Sequence, residues 1–133
     1  MHVIKVVRNR EIYWDFIRDL RNNPKVKKGF IKQEFISRKE HIKFMSKHGL
    51  KFFVCLVNDK PAGYAGVIDG DIRVATHPDF QGMGVGKHMI NRLMVMFPDS
   101  HAKVKLDNEA SVRLFESCGF KKKYYILEKD DAS

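Results

Sequence analysis

The chain has 133 residues, of which 44% are hydrophobic and 31% are charged, and its formal net charge is +9. This length and composition indicate one folded domain over residues 1–133 and exclude a disordered chain. No apolar run reaches the ~18–20 residues of a membrane-spanning helix, and the start MHVIKVVRNR lacks the apolar core of a signal peptide. We therefore expect a cytoplasmic protein with no membrane partner.

The two cysteines, Cys55 and Cys118, form no CxxC pair. A disulfide framework and a metal site are both unexpected on this count.

Positive charge is concentrated in the first part of the chain. Residues 1–51 hold 14 Lys and Arg against 5 Asp and Glu, whereas residues 52–133 hold 11 of each kind. Such a region favours an anionic partner, for example a phosphorylated ligand, a nucleic acid or an acidic protein. Lysine-rich solvated surfaces are also common, so this alternative stays open.

The first half of the chain predicts one strand, two helices and a basic loop, from its β-branched runs, apolar spacing and capping residues. The elements are a strand over 3–7, a helix over 10–21 capped by Asn9, a basic loop with a short helical turn over 24–36, and a helix over 38–48. Ser37 and Glu40 form a capping box at the start of the second helix, and Gly49 ends it.

The second half predicts a meander of strands followed by alternating helices and strands. The elements are strands over 51–58, 61–68 and 71–76, a helix over about 85–96, a strand over 102–106, a helix over 109–117 and a strand over 120–129. Turns are predicted at Asn58–Lys60 and Asp69–Gly70. The whole order predicts an α/β domain in which helices flank a mixed central β-sheet.

A glycine-rich turn connects the strand over 71–76 to the helix over 85–96. Its three glycines, Gly82, Gly84 and Gly86, let backbone N–H groups point inward, and the helix start adds more. Such a loop suits a pyrophosphate. His88 stands where a Walker A loop needs Ser or Thr, and the glycine order is not GxGxxG, so neither of those nucleotide sites fits.

The segment Gln81-Gly82-Met83-Gly84-Val85-Gly86 resembles motif A of the GNAT N-acetyltransferase superfamily, and THPDF (76–80) resembles the lead-in to that motif. Residues 108–120 resemble the family's second motif, which ends in Gly-Phe. The resemblance implies a single-domain GNAT-like fold. It also implies an enzyme that moves an acetyl group from its co-substrate acetyl-CoA directly to a primary amine.

The resemblance also implies which residues bind acetyl-CoA. The pantetheine arm would pair with one strand, the pyrophosphate would lie in the glycine loop, and the second motif would supply further contacts. The residues so assigned are Val74, Ala75, Thr76, Gln81, Gly82, Met83, Gly84, Val85, Gly86, Lys87, Asn108, Ser111 and Phe115. A backbone N–H near 74–76 would polarise the acetyl carbonyl. Asn108 is also the residue expected to cap the helix over 109–117.

The sequence departs from the family pattern at both common proton-transfer positions. Phe115 replaces the usual acid tyrosine, and Lys103 stands where N-terminal-acetylating relatives have Glu. Substitute candidates are Asp71, His77 and Tyr124, with Asp71 and His77 as possible bases and Tyr124 as an acid. Asp71 is more readily explained as a turn residue after Gly70, and its role as a base is the alternative.

The acceptor is the least determined feature. The basic first part opposes a polyamine and favours an amine on an anionic small molecule, such as an amino-sugar nucleotide. A protein N-terminus or lysine, for example on a ribosomal protein, is an alternative acceptor. The two departures also leave open a non-catalytic module that binds CoA or nucleic acid. A homodimer is left open as well.

Overall fold

A computed structural model describes residues 2–130 of the chain. Four strands form one antiparallel sheet in the order β1-β2-β3-β4. The strands are β1 (Ile4–Arg8), β2 (Phe52–Val57), β3 (Lys60–Ile68) and β4 (Asp71–Thr76). The helices are α1 (Trp14–Asn22), α2 (Pro24–Lys27), α3 (Arg38–His48), α4 (Val85–Met96) and α5 (Glu109–Ser117).

Two tight turns set the register of the last three strands. Asn58 and Asp59 have φ values of 49° and 67°, and Asp69 and Gly70 have φ values of 51° and 79°. Two successive positive φ values are typical of the type I′ turn, whose twist matches that of the paired strands. The hairpin turns predicted from sequence are therefore formed.

Helices cover both faces of the sheet, which places the core in two layers. One cluster, which includes Met89 and Leu93, lies on the α4 face. The other, which includes Ile17 and Met45, lies on the face of α1 and α3. Because both faces are covered, β2 is buried along its whole length. This layering confirms the α/β fold class.

Two predicted strands do not form. Residues 102–106 and 120–129 belong to no strand. Among residues 2–130, the sheet has one parallel contact, a bridge between Asp71 and His101. A strand depends on the neighbour with which it exchanges hydrogen bonds, and the residues of the segment alone do not supply that neighbour. The predicted mixed sheet is thus an antiparallel sheet with a single parallel contact at its edge.

The predicted cap of the first helix was also wrong. The region over 10–21 forms a short 3₁₀ turn, Glu11–Tyr13, followed by α1. Asn9 instead donates its side-chain amide to the Met45 sulfur at 3.2 Å and to the Gly49 carbonyl at 3.3 Å. Asn9 therefore joins β1 to the end of α3. The capping box at the start of α3 is present as predicted.

Within residues 2–130, none of the helices has the length and apolar character needed to cross a bilayer.

Candidate functional site

The glycine loop presents a row of free backbone donors at the start of α4. Gly82 and Gly84 have φ values of 79° and 83°, which side-chain-bearing residues rarely adopt. Within residues 2–130, the N–H groups from Gly82 to Lys87 donate to no backbone or side-chain acceptor. Free N–H groups at a helix start, next to an exposed lysine, are the arrangement that suits an anion, and this loop is the candidate site for one.

Three of the loop residues predicted to bind the cofactor also serve the core. The side chain of Val85 is buried, and that of Met83 packs partly against the α4-face cluster. A Cβ on Gly86 would lie 2.8 Å from Cδ2 of Leu114 in α5. Gly86 is therefore needed for the close packing of α4 on α5, in addition to any role of its N–H group. Gln81 is exposed beside the loop.

The open edge of β4 is the second part of the site. Ile72 donates outward to the His101 carbonyl at 2.9 Å, whereas His77, just beyond the strand, donates inward to Ala62 of β3 at 2.7 Å. The backbone N–H and C=O groups of successive residues point to opposite sides of an antiparallel strand, so those of Val74 and Thr76 point outward, as those of Ile72 do. Their N–H and C=O groups lie on an edge that no strand covers within residues 2–130.

Of the three residues predicted to contact the pantetheine arm, two point their backbone groups to the open edge and one does not. Ala75 is paired with Tyr64 across β3, so its backbone faces the sheet interior and its side chain is buried. Val74 and Thr76 are the residues whose backbone is available to an added strand-like ligand. Ala75 differs from these two, because β3 occupies the side to which its backbone N–H and C=O groups point.

The chain after α4 pairs with the edge of β4 at one point. Among the described residues, His101 meets Asp71 in the single parallel bridge, and residues 102–106 then continue without a ladder to β4. We take the region between the open edge of β4 and residues 102–106 as the candidate cleft. The glycine loop follows the carboxyl end of β4.

Asn108 caps α5 and fastens the basic loop to the cleft. Its side-chain oxygen accepts from the Ser111 N–H at 3.2 Å, and its amide donates to the Gly29 carbonyl at 3.3 Å. A Cβ on Gly29 would lie 2.9 Å from that amide nitrogen, so the close approach depends on glycine. Lys105 adds a bond from its ammonium group to the Lys28 carbonyl at 3.3 Å.

Asp71 is the acidic side chain at the start of β4. One carboxylate oxygen lies 3.2 Å from Nε of Arg73, and the other is buried with no hydrogen-bond partner among the described residues. Both side chains project to the face of α1 and α3, since residues two apart on a strand share a face. This face is opposite to that of α4.

The other two predicted catalytic side chains are placed less favourably. Nδ1 of His77 accepts from the Asp79 N–H at 3.1 Å, so the neutral ring carries its proton on Nε2 and has no free lone pair. Tyr124 lies after α5 in a segment that belongs to no helix or strand, and it is 90% exposed. Phe115, where the family has tyrosine, is buried edge-to-face against Phe120, and the ring centroids are 5.1 Å apart.

Sequence reasoning missed a group of side chains on the face of α1 and α3. Burial raises the pKa of Tyr64 to about 12, and the charges of Arg21 and Arg73 nearby act in the opposite direction. Arg21 lies over the Phe44 ring at 4.2 Å and donates to Nδ1 of His41 at 3.2 Å. The one signal in the sequence was the two-residue spacing of Asp71 and Arg73, which places both side chains on the same face of β4.

The model of the acetyltransferase (GNAT) family matches residues 9–120 of the chain. None of the curated protein sequences compared with the chain matches it.

Solved structures share the fold at low sequence identity. A domain from Methanocaldococcus jannaschii has a TM-score of 0.80 at 21% identity and covers 92% of this chain and 91% of its own. Spermidine N-acetyltransferase from Vibrio cholerae, in complex with CoA and spermine, has a TM-score of 0.77 at 21% identity, with coverages of 95% and 85%. The proposed acetyltransferase yncA from Salmonella typhimurium, with acetyl-CoA, has a TM-score of 0.75 at 21% identity, with coverages of 89% and 79%.

Proposed function

This chain belongs to the acetyltransferase (GNAT) family, and we propose that it transfers an acetyl group from acetyl-CoA to a primary amine carried by an anionic small molecule. It is an acetyl-CoA-dependent N-acetyltransferase, as its sequence predicted. An amino-sugar nucleotide is the acceptor class that best matches the charge of the protein. Two free cysteines are consistent with a cytoplasmic location, which is part of the proposal.

The observation that carries the acceptor class is the attachment of the basic loop to the cleft wall. The bonds from Asn108 and Lys105 to the loop backbone hold this lysine-rich segment beside the cleft. A shallow depression on the loop is lined by Asn22, Pro24, Lys27, Lys28 and Gln33. Positive charge at this point attracts a phosphorylated acceptor and repels a polycation. The acceptor of this chain would then differ from the spermine present in the Vibrio cholerae structure.

The geometry supports a direct-transfer mechanism. The glycine loop would hold the pyrophosphate, and Val74 and Thr76 would pair with the pantetheine arm. The outward N–H of Val74 would donate to the acetyl oxygen and stabilise the negative charge that develops when the amine attacks. The C–S bond then breaks, and CoA leaves as its thiolate.

We assign the role of general base to Asp71, with Arg73 positioning its carboxylate. The unpartnered oxygen of Asp71 has no competing donor, but it is buried, so the role of base requires that water reach it. Asp71 precedes Val74 by three residues, or about 10 Å along an extended strand, so a chain of at least two water molecules would relay the amine proton. The ring of His77 is less suited, because its lone pair is occupied.

The test compares two acceptors that differ only in charge. CoA release is measured with an amino sugar and with its phosphate ester, at fixed acetyl-CoA. We expect a lower KM for the ester, and we expect Lys27→Glu with Lys28→Glu to raise that KM about threefold to tenfold, as for two partly exposed ion pairs. Lys43→Glu with Lys47→Glu, on the outer face of α3, changes the net charge equally and should have no such effect.

Equal KM values for the two acceptors would contradict an anionic substrate. Turnover only with peptides that carry a free N-terminus or lysine would establish the protein-acetylating alternative. CoA binding without turnover of any amine, together with salt-dependent nucleic-acid binding, would establish the non-catalytic alternative. Asp71→Asn should lower kcat and leave the Kd for CoA unchanged, and an unchanged kcat would remove Asp71 from the mechanism.

A further inference from the structure

The outer face of α3 carries a row of positive charges. Lys39, Lys43 and Lys47 follow one another at four-residue intervals, and all three side chains are exposed. His41 and Met45, which are buried, lie on the opposite side of the helix. Since four residues advance an α-helix by about 6 Å, the three lysines form a straight row about 12 Å long.

Two further cations extend this row at the end of α3. Lys51 follows Lys47 by four residues and is also exposed. Arg10 is brought to the same place by a tertiary contact, because the neighbouring Asn9 donates its side-chain amide to the Gly49 carbonyl. We use the name α3 basic face for these five residues, which are Arg10, Lys39, Lys43, Lys47 and Lys51.

No acid neutralises the α3 basic face among residues 2–130. None of its five side chains takes part in an ion pair there. The one acid of α3, Glu40, is held at the helix start, where its carboxylate accepts from the Ser37 N–H at 3.4 Å. Glu11 and Asp15 lie towards α1, where they line a depression together with Arg38. The face therefore presents its full charge to an anionic partner.

We propose that the α3 basic face docks this protein on the phosphate backbone of a nucleic-acid duplex. A duplex carries one negative charge for about every 1.7 Å of its axis, so a row of lysines about 12 Å long meets roughly seven phosphates. Contacts from lysine to phosphate carry no sequence information, so we expect binding that does not depend on base sequence. The inference is independent of the identity of the acceptor amine.

The composition of α3 favours a duplex over other anionic partners. Interfaces between proteins are depleted in lysine and are anchored by aromatic side chains and arginine. Attachment to a lipid surface needs several apolar side chains on one helix face, whereas α3 exposes only Ile42 among its large apolar residues. A single strand is held by stacking on exposed aromatic rings. The Phe44 ring is instead engaged by Arg21 on one side and Phe52 on another.

The docking surface is separate from the glycine loop. α3 covers the face of the sheet opposite to α4, and the glycine loop lies at the start of α4. One molecule can therefore bind a duplex and CoA at the same time. Docking through α3 would hold the acetyltransferase at nucleic acid while its cofactor site stays open.

Fluorescence anisotropy with a labelled DNA duplex of roughly 20 base pairs, about two helical turns, tests the proposal on the full chain. The logarithm of the association constant should fall with the logarithm of salt concentration at a slope of about −3 to −4.5, or about −0.9 for each of three to five phosphate contacts. Lys43→Glu with Lys47→Glu should weaken binding about tenfold or more and make the slope shallower by about 2.

The charge-matched control is Lys60→Glu with Arg92→Glu. Both residues are exposed and lie outside the α3 basic face, one in the turn before β3 and the other on α4. This variant should change the Kd for the duplex by less than about threefold, because salt screens charges that do not touch the phosphates. Circular dichroism and an unchanged Kd for CoA verify that both double variants fold.

Four results would overturn the proposal. The first is an absence of duplex binding at low salt, and the second is an equal loss of affinity in the two double variants, which would assign binding to net charge alone. The third is displacement of the duplex by saturating CoA, which would place it on the glycine loop. The fourth is binding of polyglutamate or of a single DNA strand as tightly as the duplex at the same ionic strength, which would indicate an acidic protein or a single strand as the partner.

Discussion

Gly82→Ala isolates the conformation of the glycine loop from its packing. Gly82 has a φ of 79°, and no atom lies within 4 Å of the position that a Cβ would take. An alanine therefore meets no steric obstacle, and its cost is that of a left-handed backbone, about 1–2 kcal/mol. The loop is exposed, so in the free protein the alanine can relax to a negative φ and turn the neighbouring N–H groups away.

That cost should appear in the affinity for CoA. Binding of the pyrophosphate restores the original loop, so the 1–2 kcal/mol is taken from the binding free energy, which weakens the Kd about 5- to 30-fold. Isothermal titration with CoA measures this change directly. Pantetheine has no pyrophosphate, so its binding should be unaffected by Gly82→Ala.

Gly119→Ala is the matched control. Gly119 has a φ of 92°, and here too no atom lies within 4 Å of the position that a Cβ would take, but this glycine follows α5 rather than β4. Its substitution should lower the free energy of unfolding by a similar 1–2 kcal/mol and leave the Kd for CoA unchanged. If Gly82→Ala and Gly119→Ala bind CoA equally well, the pyrophosphate does not lie on this loop.

Three further predictions concern stability and reactivity. Gly86→Ala should lower the free energy of unfolding by about 1–3 kcal/mol in urea titrations, because the added methyl group would lie 2.8 Å from Leu114. Adding Leu114→Val should recover part of that loss, and equal stability of Gly86→Ala and wild type would contradict this packing. Burial raises the pKa of Cys55 to about 11, so a thiol reagent should modify only Cys118 in the folded protein. Rapid reaction of both thiols would contradict the buried position of Cys55. Burial chiefly lowers the pKa of His41, so the unfolded chain takes up this proton at a higher pH than the folded protein, and the free energy of unfolding should fall as the pH drops below about 6.5. His41→Gln should reduce the loss of stability between pH 7 and pH 5 in urea titrations, and an unchanged loss would show that other groups cause it.

The hydrogen bonds of His41 explain why its neutral form is preferred. Nε2 lies 2.8 Å from the Trp14 carbonyl and therefore donates, which leaves Nδ1 to accept from Arg21. A second proton on the ring would face the Arg21 guanidinium. The histidine thus joins α1 to α3 on the face of the sheet opposite to α4.

Local signals in the sequence were enough for most elements and for the anion loop. Periodic apolar residues, the capping box at Ser37 and the two turns each depend on residues close together in the chain, so they could be recognised without the fold. The same is true of the alternating glycines and of Phe115, which removes the usual hydroxyl. The order of the elements predicted the fold class, and the resemblance of the glycine motif predicted the acetyl-CoA-dependent chemistry.

Contacts between distant residues required the tertiary structure. Asn9 resembled a cap, but its amide binds partners 36 and 40 residues away. The inward direction of Ala75 follows from the register with β3, and the contact between Gly29 and Asn108 joins positions 79 residues apart. The strand pattern of residues 120–129 was recognisable, but a strand forms only beside a partner edge, and among the described residues no strand pairs with this segment. The sequence thus determined the helices, the first four strands and the glycine turn, whereas the tertiary structure decided which further segments pair and which backbone edges and side chains remain available.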